Sequence, residues 1–93
     1  MIQRDGERMQ LAGAVTLGNV AALLDEGRRH LAEGVRTVDL AGVTELDSAL
    51  LALLLAWLRE AKNRGQPLAF ANLPKSAETI ARLYGVHSLL PTH

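Results

Sequence analysis

Hydrophobic and polar positions along this chain switch between a period of two and a period near 3.6. Met9 and Leu11 alternate with Arg8 and Gln10, and the two flanks of Asp5-Gly6, residues 2–4 and 8–12, predict a β-hairpin. Beyond Gly13 the apolar spacing becomes helical: Val20, Leu23, Leu24, Gly27 and Leu31 fall on one stripe, with Thr16 or Asn19 as the cap. That helix runs to about Glu33, and Gly34 closes it. Its other face, Asp25, Glu26, Arg28, Arg29 and His30, has the mixed charge of a solvated surface.

Thr37-Val38-Asp39-Leu40-Ala41 then predicts a short strand with Val38 and Leu40 on one side. A turn-like Thr44-Glu45 and the Asp47-Ser48 pair lead into an apolar run over residues 49–58, and good helix formers continue to Arg64 before Gly65. At about 100° per residue, Leu50, Leu54, Trp57, Leu58 and Ala61 share one face of this second helix. Leu51 and Leu55 flank it on one side and Leu53 on the other, while Ala49, Ala52 and Ala56 form a small-residue strip. This is more apolar surface than one sheet face requires, so the helix is either wedged between sheet and neighbouring helix or docks in part on another protein.

Pro67 followed by Leu68-Ala69-Phe70-Ala71 gives the last strand, and residues 72–76 the loop and cap of a last helix with Ala77, Ile80, Leu83 and Tyr84 inward. Gly85 stops it, Val86, Leu89 and Leu90 return as apolar cover, and Pro91-Thr92-His93 reads as a frayed tail. The order is β-β-α-β-α-β-α. It predicts an α/β fold: a mixed four-stranded sheet with an N-terminal hairpin, three helices and parallel later strands, as one domain over residues 1–93.

Charge narrows the choice of partner. Ten acidic residues balance ten basic ones, no basic run occurs, and Trp57, Phe70 and Tyr84 are the only aromatics, so the features of a nucleic-acid binder are missing. Without cysteine there is no disulfide framework or thiolate metal site, and no His/Asp/Glu spacing suggests a metal or a cofactor. The start MIQRDGERMQ has no apolar signal core, and residues 49–58 amount to about half of a membrane span, so a cytoplasmic chain with no membrane insertion is expected.

The candidate chemistry gathers at Ser48. Placed at a helix N-terminus, its hydroxyl lies among first-turn N–H groups where negative charge is stabilised, which suits a plain cap, a phosphate acceptor or a partner contact. Catalysis is not expected. Ser48 beside Asp47 is the one plausible nucleophile, yet no G-x-S-x-G surrounds it, and His30, His87 and His93 fall on a solvated face, in the closing segment and in the tail. Asp39 is read as structural, its carboxylate capping a nearby turn.

Val38-Asp39-Leu40-Ala41-Gly42-Val43, then Leu46-Asp47-Ser48 entering a Leu-rich helix, and Ile80-Ala81-Arg82-Leu83-Tyr84-Gly85-Val86 with Leu89-Leu90-Pro91 resemble the STAS domain. That family includes anti-sigma-factor antagonists and the small cytoplasmic subunit of the Mla phospholipid-transport ABC complex. Leu51-Ala52-Leu53-Leu54-Leu55, Ala61-Lys62 and Ala81-Arg82-Leu83-Tyr84 are more similar to the Mla subunit.

The resemblance implies a non-catalytic module that binds and supports the ATPase of an ABC-type phospholipid transporter, with the permease in the assembled complex, and so helps maintain outer-membrane lipid asymmetry. The implied contact residue is Ser48, with Thr44, Glu45, Asp47, Ala49, Ala52 and Ala56 around it. The alternative it implies is an anti-sigma-factor antagonist switched by phosphorylation of Ser48, since phosphate adds about −1.5 to −2 charges to a surface desolvated on docking. The antagonists' Asp-Ser-Ser/Thr-Gly is here Asp47-Ser48-Ala49-Leu50. A side chain at Leu50 is expected to narrow the approach of a kinase, and the Gly-Gly frequent in Mla subunits is missing too.

Overall fold

The computed structural model describes residues 1–92. Its elements are β1 (Ile2–Asp5), β2 (Arg8–Val15), α1 (Val20–Ala32), β3 (Thr37–Leu46), α2 (Ala49–Asn63), β4 (Ala69–Ala71) and α3 (Lys75–Leu83), followed by a 3₁₀ turn at His87–Leu89. The sheet order is β1-β2-β3-β4, with β1 antiparallel to β2 and both later pairs parallel. This is the mixed four-stranded, three-helix arrangement that the periodicity predicts. Gly6 holds φ at 65° in the two-residue hairpin loop between Asp5 and Arg8, where a primed turn demands a left-handed residue.

Alternation along the strands decides the layers. Ile2, Met9, Leu11, Val38, Leu40 and Phe70 point into one buried cluster with Leu23 and Leu31 of α1 and with Leu50, Leu53, Leu54 and Trp57 of α2. Ala77 and Ala81 of α3 join the same cluster, so the helices gather over one face of the sheet. On the other face Gln3, Gln10 and Asp39 stand in one register row, and Gln3 and Gln10 are exposed.

Two strands run further than their side-chain patterns indicate. β2 continues past Ala12 to Val15 and β3 past Ala41 to Leu46, so Thr44 and Glu45 lie in a strand and not in a turn. The patterns stop early because β3 carries extra residues. Ala12 pairs with Gly42 after Gln10 has paired with Asp39, and Ala14 pairs with Glu45 after Gly13 has paired with Val43. Each shift resets the alternation while the backbone ladder goes on.

The end of the chain also departs from expectation. Leu83 is 77% exposed and Tyr84 64%, because α3 turns Ala77 and Ala81 inward. Leu83 lies about 200° around the helix from Ala81, and Tyr84 follows its last turn. Pro91 and Thr92 are not frayed: the Pro91 carbonyl accepts the Phe70 N–H at 2.8 Å, and Thr92 bridges to Phe70. Phe70 is fully buried, so its edge-strand N–H needs that partner. The tail reading at His93 lies outside the described residues.

Candidate functional site

Asp47 and Ser48 make up the whole connection between β3 and α2. The Asp47 carboxylate is divided between two backbone donors: Oδ1 accepts the Ala49 N–H at 2.8 Å and Oδ2 accepts the Leu17 N–H at 3.2 Å. The Asp47 N–H in turn donates to the Val15 carbonyl at 3.4 Å, and the Asp47 carbonyl accepts from Leu50 at 3.1 Å. Asp47 therefore does the capping. Ser48 has already entered helical geometry, φ −62° and ψ −16°, and its side chain makes no cap bond. A capping side chain works from an extended backbone, so a serine in this conformation is not placed to cap the helix. Ser48 is exposed.

The remaining candidates separate by burial. Thr44, Glu45 and Ala52 are exposed, Asp47 and Ala56 are half-buried, and Ala49 is buried. Ala49 cannot present a contact surface because it shares an inward face with Leu53, four residues on. Leu50 is fully buried as well. The expectation that its side chain narrows an approaching backbone is thus corrected: the residue replacing the family's glycine packs into the core.

The fold brings Leu17 to this site, a residue that periodicity alone passes over. It is 78% exposed, and its N–H is the one held by Asp47. The loop bearing it is braced further: Asn19 Oδ1 accepts the Thr16 N–H at 3.0 Å, Asn19 Nδ2 donates to the Ala14 carbonyl at 2.8 Å, and the Thr16 carbonyl accepts from Asn19 and Val20. The sequence signal is faint, a single leucine inside Thr16-Leu17-Gly18-Asn19, between the last residue of β2 and the stripe of α1.

Asp39 lies on the open sheet face and is spent on structure. It accepts the Asn72 amide at 2.9 Å, the Ala41 N–H at 3.0 Å and the Arg8 guanidinium at 2.9 Å. These donors, the Asn72 amide foremost and then the Ala41 N–H, hold its pKa down at about 2 against some desolvation. Capping by this carboxylate is as the sequence suggests, and what it caps is the bulge at Leu40-Ala41 where β3 slips its register.

Among the described residues no base is hydrogen-bonded to the Ser48 side chain. Its aspartate neighbour is occupied by two N–H groups, and His87 stands 3.5 Å from Glu78 of α3. Among the described residues no group of three His, Asp or Glu side chains could hold a metal ion, and no helix is long and apolar enough to cross a membrane. What the site offers is a surface: an exposed hydroxyl, an exposed leucine on a braced loop, and the small side chain of Ala52 one turn along α2.

Comparison with known proteins gives the surface a context. A family model described as Mlab, STAS domain, matches residues 1–91. The unphosphorylated form of the anti-sigma factor antagonist SpoIIAA superposes with a TM-score of 0.74 at 13% identity, covering 100% of this chain and 86% of that one. A candidate anti-sigma factor antagonist from Thermotoga maritima gives 0.77 at 14% identity, covering 99% and 83%. The phosphorylated form of the Bacillus cell fate determinant SpoIIAA gives 0.65 at 14%, covering 100% and 89%. At such identities the likeness is one of fold. No curated protein matches the chain.

Proposed function

This chain belongs to the Mlab family of STAS domains, and on that footing we propose that it is a non-catalytic cytoplasmic subunit which docks on the ATPase of an ABC-type phospholipid transporter. In the assembled complex, with the permease, it supports ATPase activity and so the lipid asymmetry of an outer membrane. The docking surface is the start of α2 with the strand end and loop beside it: Ser48 at the centre, Thr44, Glu45 and Ala52 around it, Leu17 from the facing loop, and Ala56 at the margin.

One observation carries this reading. Asp47 caps α2, so the side chain of the exposed Ser48 makes no cap bond and is available to a partner. A small polar side chain and the nearby Ala52 let a partner's backbone or helix come close, and Leu17 adds apolar area that is desolvated on contact. No cofactor or metal is needed for such a role.

A second reading is favoured by the burial of Leu50. With that side chain in the core, access to Ser48 is open to a kinase, as a phospho-switched anti-sigma-factor antagonist requires. Both are tested together by a tagged pull-down from the native host, with Ser48→Arg alongside. Recovery of an ABC ATPase and its permease by the wild type, lost in Ser48→Arg, supports the transport subunit. Recovery of a kinase-like anti-sigma protein in their place overturns it in favour of the switch.

A further inference from the structure

The far end of α2 carries a second surface that the docking site does not use. About 380 Å³ of open cleft lies between α2 and the segment leading to β4, and about 410 Å³ along the flank of α2. Leu58, Lys62 and Leu89 line both, so the two form one continuous trough. Its apolar wall is Leu55, Leu58, Leu68 and Leu89, the last 56% exposed. Arg59 and Lys62 stand on its rim, one turn apart on α2, and among the described residues no acidic side chain lines it.

The state of those two cations is informative. Arg64, on the next turn, is engaged by Glu60 at 2.9 Å, and Arg28 also reaches Glu60. Arg59 and Lys62 take part in no ion pair among the described residues. An apolar wall edged by two cations at i, i+3 spacing, free of ion pairs among the described residues, complements a helix with an apolar stripe and carboxylates three or four residues apart beside it.

We propose that this trough binds an acidic amphipathic helix supplied by a partner protein, by contacts separate from those of the Ser48 surface. Other occupants fit less well. A second copy of this chain in a two-fold contact would set Arg59 and Lys62 against their own counterparts. A lipid chain needs a slot that encloses most of it, whereas both clefts are open to solvent along their length. The inference does not rest on the identity of the protein docked at Ser48.

The test uses an 18-residue fluorescein-labelled peptide with leucines at i, i+3, i+4 and i+7 and glutamates on both flanks, and a version with lysine for glutamate, titrated with the chain by fluorescence anisotropy. Binding of the glutamate peptide is expected, weakened at least tenfold in Leu89→Asp and in Arg59→Glu/Lys62→Glu, with the double variant now preferring the lysine peptide. All three positions are exposed, so circular dichroism of the variants should match the wild type. Absence of binding, equal binding of the two peptides, or indifference to these substitutions overturns the proposal. So does capture of phosphatidylglycerol vesicles in place of the peptide, or a concentration-dependent dimer abolished by Leu89→Asp.

Discussion

Gly27 of α1 lies directly against Trp57 of α2: a Cβ built at Gly27 would stand 2.2 Å from Trp57 Cζ2. The indole is fully buried there, and its Nε1–H donates to the Leu24 carbonyl at 3.2 Å. The two helices can approach this closely only because one contributes no side chain at the crossing. The contact fixes how α2 lies, and with it where Ser48 emerges.

Gly27→Ala should accordingly destabilise the fold, although alanine is the better helix former by about 1 kcal/mol. Displacing a buried indole from its pocket and its hydrogen bond outweighs that gain, for a net loss of about 1–3 kcal/mol. Urea denaturation followed by the emission of Trp57, the one tryptophan, measures it. An unchanged or raised midpoint would show that the helices do not pack this way.

Asp47→Ala and Ser48→Ala separate the cap from the contact. Loss of the Asp47 carboxylate frees the N–H groups of both Ala49 and Leu17, at a cost of about 1–2 kcal/mol. Ser48→Ala removes an exposed hydroxyl without a cap bond and should stay within about 0.5 kcal/mol of wild type. Thermal unfolding of the two variants checks the order, and a costlier Ser48→Ala would return the capping role to the serine.

Leu17→Ala should leave the unfolding midpoint within experimental error, because the side chain is nearly free of the core. If the loop docks with Ser48 on an ATPase, the same change weakens that complex at least fivefold, the level of an interface residue worth about 1 kcal/mol. Calorimetric titration with the ATPase recovered by pull-down reads this. Equal affinity of Leu17→Ala and wild type removes Leu17 from the interface.

Asp39 gives the fold an acid-sensitive tie. Its folded pKa, about 2, lies below the ordinary value of 3.8. The stabilisation is therefore complete above about pH 4 and lost as the pH falls through about 2. Arg8 is partly exposed, so solvent screening reduces the contribution at neutral pH to the order of 1 kcal/mol. Denaturation of wild type and Asp39→Asn at a series of pH values should show a stability gap at pH 7 that closes between about pH 4 and 2. A gap independent of pH would mean that the carboxylate's charge does not contribute.

Much of the architecture is legible in the residues. Helical spacing of Val20, Leu23, Gly27 and Leu31 marks the buried stripe of α1, and Gly34 and Gly65 take positive φ at the helix ends where they were expected. The strand between two helices correctly implied parallel pairing of β2, β3 and β4. These features are local: they depend on period and backbone permission within a dozen residues, which the chain carries with it.

The site was half legible, for the same reason. Ser48 and Asp47 were found by type and position, but which of them caps depends on two angles, and those follow from where β3 ends. β3 ends late because β2 continues beside it to Val15, a pairing between segments some thirty residues apart that also carries Leu17 to Asp47. Likewise the rotation of α3 that exposes Leu83 and Tyr84 is set by its contact with the shared core and not by its own apolar content. Sequence period alone determined which elements form and which way their ends turn. Register, helix rotation and the choice of exposed side chains are sums over distant contacts, and the tertiary structure alone decided them.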